Sequence, residues 1–154
     1  MESSAAVKAR IERATDLLIG RGVATENTIR GCTSEEIERV EQDAGSPLPL
    51  AYREFLARMG RGALRFYYGT DIFFPAVLGL TLAARELVAE EESRLQLPDD
   101  AIAIIMHQGY QFCFIRSSEG DDPPVYYYME QSSEFIRKSD HFTEFLIDVA
   151  CDPW

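Results

Sequence analysis

Apolar side chains recur at Val7, Ile11, Ala14 and Leu18, with Lys8, Arg10, Glu12 and Arg13 between them. That spacing lines one stripe of a helix, so an amphipathic helix is predicted over residues 3–19, ending near Gly20 or Gly22. Residues 20–32 are a polar connector. Thr33-Ser34-Glu35-Glu36 then has the form of a capping box, in which Thr33 accepts from an amide three residues on and Glu36 reaches back. Ile37, Val40 and Ala44 face the core of that helix, and Gly45 suits a left-handed stop. After Ser46-Pro47-Leu48-Pro49, the positions Tyr52, Phe55, Leu56 and Met59 mark another helix, with Pro49 at its first turn and Gly60 closing it.

From Ala63 the period shortens. Leu64 to Tyr68 reads as a strand, broken at Gly69-Thr70-Asp71 and resumed from Ile72 to Phe74. Thr81 is expected to cap a helix over 82–95, with Leu87, Val88 and Leu95 inward and Glu90, Glu91 and Glu92 outward. Leu97-Pro98-Asp99-Asp100 turns the chain. The apolar runs Ala101–Met106 and Tyr110–Ile115 flank Gln108-Gly109, which predicts a hairpin. Pro123 and Pro124 lack amide donors and therefore belong at a strand's entrance or on an edge, ahead of the strand Val125 to Tyr128. By alternation Tyr126 and Tyr128 share one face and Tyr127 takes the other. Phe135 to Lys138 reads as a last strand. Ser139 is expected to cap a terminal helix carried by Phe142, Phe145, Leu146 and Val149. Strands follow one another instead of alternating with helices, so the fold class is α+β: one domain, a mixed, largely antiparallel sheet and flanking helices.

Composition adds that the chain suits one soluble domain, at 154 residues and 46% apolar. The longest apolar runs are too short for a membrane span, and residues 1–13 lack the apolar centre of a signal peptide. Cys32, Cys113 and Cys151 are scattered and odd in number, as free thiols of a reducing cytoplasm would be. Charge narrows the partners. The net charge is −11, and residues 31–154 carry 22 acidic against 10 basic side chains. Such a body repels nucleic-acid phosphates and anionic lipid, and it steers a basic protein inward.

Candidate chemistry is sparse. His107 at the hairpin tip and His141 at the start of the last helix fall on different elements. No nucleophile elbow or Cys-His pairing accompanies them. Glu119, Asp121 and Asp122, like Asp99 and Asp100, lack the glycine and terminal glutamate of a calcium loop. Gly60-Arg61-Gly62 follows a helix, whereas phosphate loops follow a strand. The aromatic residues lack the interleaved cations of a base-stacking platform. No cofactor or metal is therefore expected. What remains is the turn at 118–124, with three carboxylates running into two prolines and a tyrosine strand, a segment suited to presenting charge.

The segment Thr33 to Glu41, followed by Pro47 to Leu56, resembles the opening helices of the SUKH superfamily, which includes fungal cell-wall assembly regulator-like proteins and bacterial immunity proteins. Gly120-Asp121-Asp122-Pro123-Pro124-Val125-Tyr126 and the final helix, written Phe142-Thr143-Glu144-Phe145-Leu146, follow in the same order. The helix at 3–19 lies outside that pattern, and Gly60-Arg61-Gly62 replaces an Asn-Gly-Gly type ending. The expected division is a helical extension over 1–22 and a SUKH-like domain over 33–150.

The resemblance implies a non-enzymatic binding role: neutralising a cognate toxin, often a nuclease or nucleic-acid deaminase, or alternatively serving as a regulatory scaffold. A basic toxin groove would meet Glu119, Asp121, Asp122 and Asp71. Exposed members of Tyr67, Tyr68, Tyr126, Tyr127 and Tyr128 would be its aromatic anchors. Oligomeric state, monomer or weak dimer, is left open.

Overall fold

A computed structural model describes residues 3–67, 70–90 and 95–152. Helix α1 spans Ser4–Gly20, and Ser3 opens it by accepting from the Ala6 amide. Its stripe of Val7, Ile11, Ala14 and Leu18 is fully buried, as the spacing predicts. Strand β1 (Ile29–Arg30) precedes α2 (Ser34–Ala44). Thr33 and Glu36 form both halves of the capping box, and Gly45 ends the helix at φ 74°. Helix α3 (Leu50–Met59) starts directly after Pro49. A Cβ on Gly31 would lie 1.8 Å from the Ala57 carbonyl oxygen, so only glycine allows the chain to pass that close to α3.

Strand β2 (Gly62–Ala63) pairs antiparallel with β1, Ile29 opposite Ala63 and Arg30 opposite Gly62. Helix α4 spans Leu80–Glu90. The main sheet follows as β3 (Ala101–His107), β4 (Gln111–Arg116), β5 (Val125–Met129) and β6 (Ile136–Ser139), in that spatial order and antiparallel throughout. Gln108 and Gly109 sit at φ 51° and 76°, the paired positive angles of a tight hairpin. Helix α5 (Phe142–Cys151) closes the fold and buries Phe142, Phe145, Leu146 and Val149. Among the described residues, five helices with antiparallel sheets make a single α+β domain.

The core runs through both termini of the chain. Tyr52, Phe55 and Phe142 meet with ring centroids 5.7–5.9 Å apart, joining α3 to α5. Helix α1 packs on both α5 and α3, and Arg21 donates to the Ala150 carbonyl, a cation on the last carbonyls of α5.

The expected strands at 64–68 and 72–74 do not form among the described residues. Leu64 and Tyr67 take left-handed φ of 49° and 53°, and the Phe66 and Thr70 amides close turns onto Ala63 and Tyr67. Only Asp71 bridges the sheet, at Met106, and Phe74-Pro75 is cis. Aromatic residues here bury their rings against Phe55 and one another, so packing rather than ladder pairing sets the path. Thr81 is likewise no cap. It lies within α4, and its hydroxyl accepts from the Ala103 amide, tying the helix to β3. Leu87 and Val88 point inward and Glu90 outward, while Glu91 and Glu92 fall outside the described residues.

Candidate partner-binding surface

Strand β4 runs into a 3-10 turn at Ser117–Glu119, and Gly120 at φ 94° redirects the chain toward Pro123. Asp100 fastens this turn. It accepts from Arg116 Nε at 2.8 Å and from the Ser118 amide at 3.0 Å. Burial opposes its ionisation, but the Ser118 and Arg116 donors outweigh that and bring its pKa down to about 2. Both Glu119 carboxylate oxygens accept from the Tyr126 hydroxyl at 3.0 Å. Burial first, and then Glu119, push the Tyr126 phenol above its ordinary pKa. The Asp121 carbonyl accepts from the Ala51 amide at 2.8 Å, clamping the corner to the first turn of α3.

Asp122 departs from expectation. Its side chain is 3% exposed and does not face solvent. One carboxylate oxygen accepts from the Thr143 amide at 2.9 Å; the other accepts from the Thr143 hydroxyl at 2.6 Å and from Arg10 at 3.1 Å. It is therefore the N-terminal cap of α5, delivered from 21 residues upstream. Ser139, the expected cap, instead donates to the His141 carbonyl, and the His141 ring donates through Nδ1 to the Asp122 carbonyl at 2.8 Å. Two residues carry this junction unnoticed by the sequence reading, Arg10 and Thr143. Arg10 had only its place on a helix face to announce it, and its partner lies 112 positions away.

The tyrosines separate by face, as alternation requires. Tyr126 and Tyr128 stack beside Phe114 and Phe112, with ring centroids 5.2 and 5.4 Å apart. Tyr127 points to the other face, where its hydroxyl donates to Gln111 at 2.6 Å and Lys138 lies over its ring. Tyr128 is fully buried and Tyr67 nearly so, which removes both as exposed anchors. Tyr68 lies outside the described residues.

Asp71 is exposed but distant from the corner. It bridges Met106, whereas the corner leaves β4 beside Ala101. Five strand residues separate the two, about 17 Å. The structure thus brings together Glu119, Asp121 and Tyr126, all half-buried, and leaves Asp71 and Tyr127 apart from them.

Among the described residues, no group of three or more His, Cys, Asp or Glu side chains could hold a metal ion, and no helix is long and apolar enough to cross a membrane. The three cysteines are free thiols. Cys32 is pushed up to about 11, chiefly by burial and then by Glu36, away from thiolate reactivity. His107 shares a 2.9 Å hydrogen bond with the Thr70 hydroxyl.

Two opening helices, a four-stranded antiparallel sheet and a closing helix capped from a Gly-Asp-Asp-Pro-Pro corner define the class of this domain. The chain matches the SMI1 / KNR4 family (SUKH-1) over residues 31–148, and it belongs to that family. A comparison with curated proteins finds no match.

Proposed function

We propose that this protein is a non-enzymatic immunity protein that neutralises a cognate toxin of nuclease or deaminase type by covering its basic groove. The observation that carries the reading is charge placement within a SUKH-1 domain: residues 31–154 hold 22 acidic and 10 basic side chains. A groove built to hold phosphates is positively charged, so an acidic surface is its electrostatic complement. Glu119 and Asp121 supply charge at a corner fixed by Asp100, Ala51 and Tyr126, and a rigid corner loses little freedom on binding. Tyr126 adds aromatic contact there, and Asp71 and Tyr127 lie outside this corner.

The test is a titration against the toxin encoded beside this gene, paired with a growth-protection assay. Association is expected to be fast at low ionic strength and to slow as the Debye length falls to about 8 Å at physiological salt. Glu119→Lys with Asp121→Lys should weaken binding and abolish protection. Glu86→Lys with Glu90→Lys, on the exposed side of α4, should do much less. The reverse ranking would move the contact surface away from the corner. Failure of every neighbouring gene product to bind would favour the family's other role, a regulatory scaffold.

A further inference from the structure

One groove in this acidic protein has the opposite character to its surface. It has a volume of about 480 Å³ and lies between the β1–β2 pair and the irregular segment 70–76. That size falls within the usual range of ligand sites, about 300–1,000 Å³. Phe66, Phe73 and Phe74 form its aromatic wall, and Arg30 and Arg61 reach into it. No carboxylate lines it among the described residues.

The two arginines are not equivalent. Arg61 is held by the Glu36 carboxylate and lies over the Phe74 ring, 5.2 Å from its centroid, so its charge is largely compensated. Arg30 is exposed, and among the described residues no carboxylate pairs with it. Arg10, Arg53, Arg58, Arg116 and Arg137, by contrast, are each matched to an acidic partner. In a chain of net charge −11, an uncompensated arginine over an aromatic trough is a local positive focus in a negative field. At the rim, Leu64 is 53% exposed and is held in that position by a left-handed backbone. A leucine without Cβ relief at positive φ is costly, and such strain persists where the surroundings impose it.

We propose that this groove docks an extended acidic segment of a partner protein, one that places a carboxylate on Arg30 beside an apolar side chain against Leu64 and Phe73. The net charge of −11 disfavours such a segment elsewhere, while this trough joins a cation to an apolar wall with no carboxylate among its described lining residues. This surface is independent of the acidic corner, and the two would accept oppositely charged partners.

A fluorescein-labelled, capped hexapeptide alternating leucine and glutamate serves as the probe, with leucine–glutamine and leucine–lysine counterparts. Fluorescence anisotropy at low salt should show the acidic peptide binding about tenfold or more tightly than the glutamine peptide, equivalent to about 1.4 kcal/mol. The lysine peptide should not perturb amides of residues 63–76 in a nitrogen–proton correlation spectrum. Arg30→Glu should reduce acidic-peptide affinity by about tenfold or more. Ala76→Glu, which puts charge on an exposed lining position, should do the same without touching the core. Arg13→Glu, an exposed change of equal net charge on α1, should leave affinity within about twofold. Equal binding of the glutamate and glutamine peptides would overturn the proposal, as would an Arg13→Glu effect matching that of Arg30→Glu. Absence of any binding by the acidic peptide, or shifts confined to residues outside the groove, would overturn it too.

Discussion

Two regions of this protein were equally distinctive in sequence and fold in opposite ways. The acidic proline corner at 118–124 resembles a solvent-facing turn, yet it is one of the most constrained places in the molecule. Asp122 is buried against Arg10 and Thr143, and Asp121 is clamped through its carbonyl to α3. The aromatic segment at 64–74 resembles a strand, yet its described residues run through turns bordering an open groove. The difference lies in the range of the stabilising contacts. Partners of the corner come from residues 10, 51, 100 and 143 and satisfy every buried charge. The aromatic segment gains its burial from rings packed onto neighbours, which needs no regular hydrogen-bond ladder.

Removing residues 1–22 is the strongest test of this contrast. It deletes the buried Val7, Ile11 and Leu18, worth about 1.5–3 kcal/mol each, and takes the Arg10 partner from Asp122. Together this rivals the whole stability of a small domain, about 5–15 kcal/mol. The truncated chain is expected to lose cooperative unfolding by circular dichroism. A stable, cooperative 23–154 fragment would instead make α1 the appendage suggested by its place outside the family pattern.

Next in size are core and corner substitutions measured by chemical denaturation. Phe145→Ala should cost about 3–5 kcal/mol, since the ring is buried in the α5 interface. Asp122→Ala should cost about 1–3 kcal/mol, because it leaves the buried Thr143 amide without its acceptor and removes one of the acceptors of Arg10. Asp121→Asn, one residue away, should stay within about 0.5 kcal/mol. Equal effects at 121 and 122 would dissolve the distinction between corner surface and corner core. Thr33→Ala should cost about 1 kcal/mol by removing the α2 cap.

Smaller effects sharpen the other half. Leu64→Gly should be neutral or stabilising by up to about 1 kcal/mol, since glycine accepts the left-handed angle and the lost side chain is mostly exposed. Acid titration probes the carboxylates. Glu36, held first by Arg61 and then by the Thr33 amide, and Asp100 both titrate near pH 2 in the folded state, against ordinary values of 4.5 and 3.8. Depressed folded values mean that their contribution is present above pH 4.5 and is lost as pH falls through about 2. Glu36→Gln should therefore flatten the unfolding transition between pH 4.5 and 2. An unchanged acid limb would show that the Arg61 pair contributes nothing there.

Local chemistry made much of this protein readable from its residues alone. The α1 stripe, the Thr33 capping box, the Gly45 stop, the Gln108-Gly109 hairpin, the tyrosine alternation and the buried face of α5 all depend on contacts within a few positions. Propensity and periodicity carry such information directly. The SUKH order of elements was readable for the same reason. Three things were decided only in three dimensions: that Asp122 caps a helix 21 residues away, that Thr81 secures a strand, and that the described residues of the aromatic segment turn instead of forming the two expected strands. A carboxylate, a hydroxyl and a run of rings each have several low-energy uses. Which one wins depends on donors and surfaces brought close by the rest of the chain, because burial penalises any polar group left unmatched and any ring left in water.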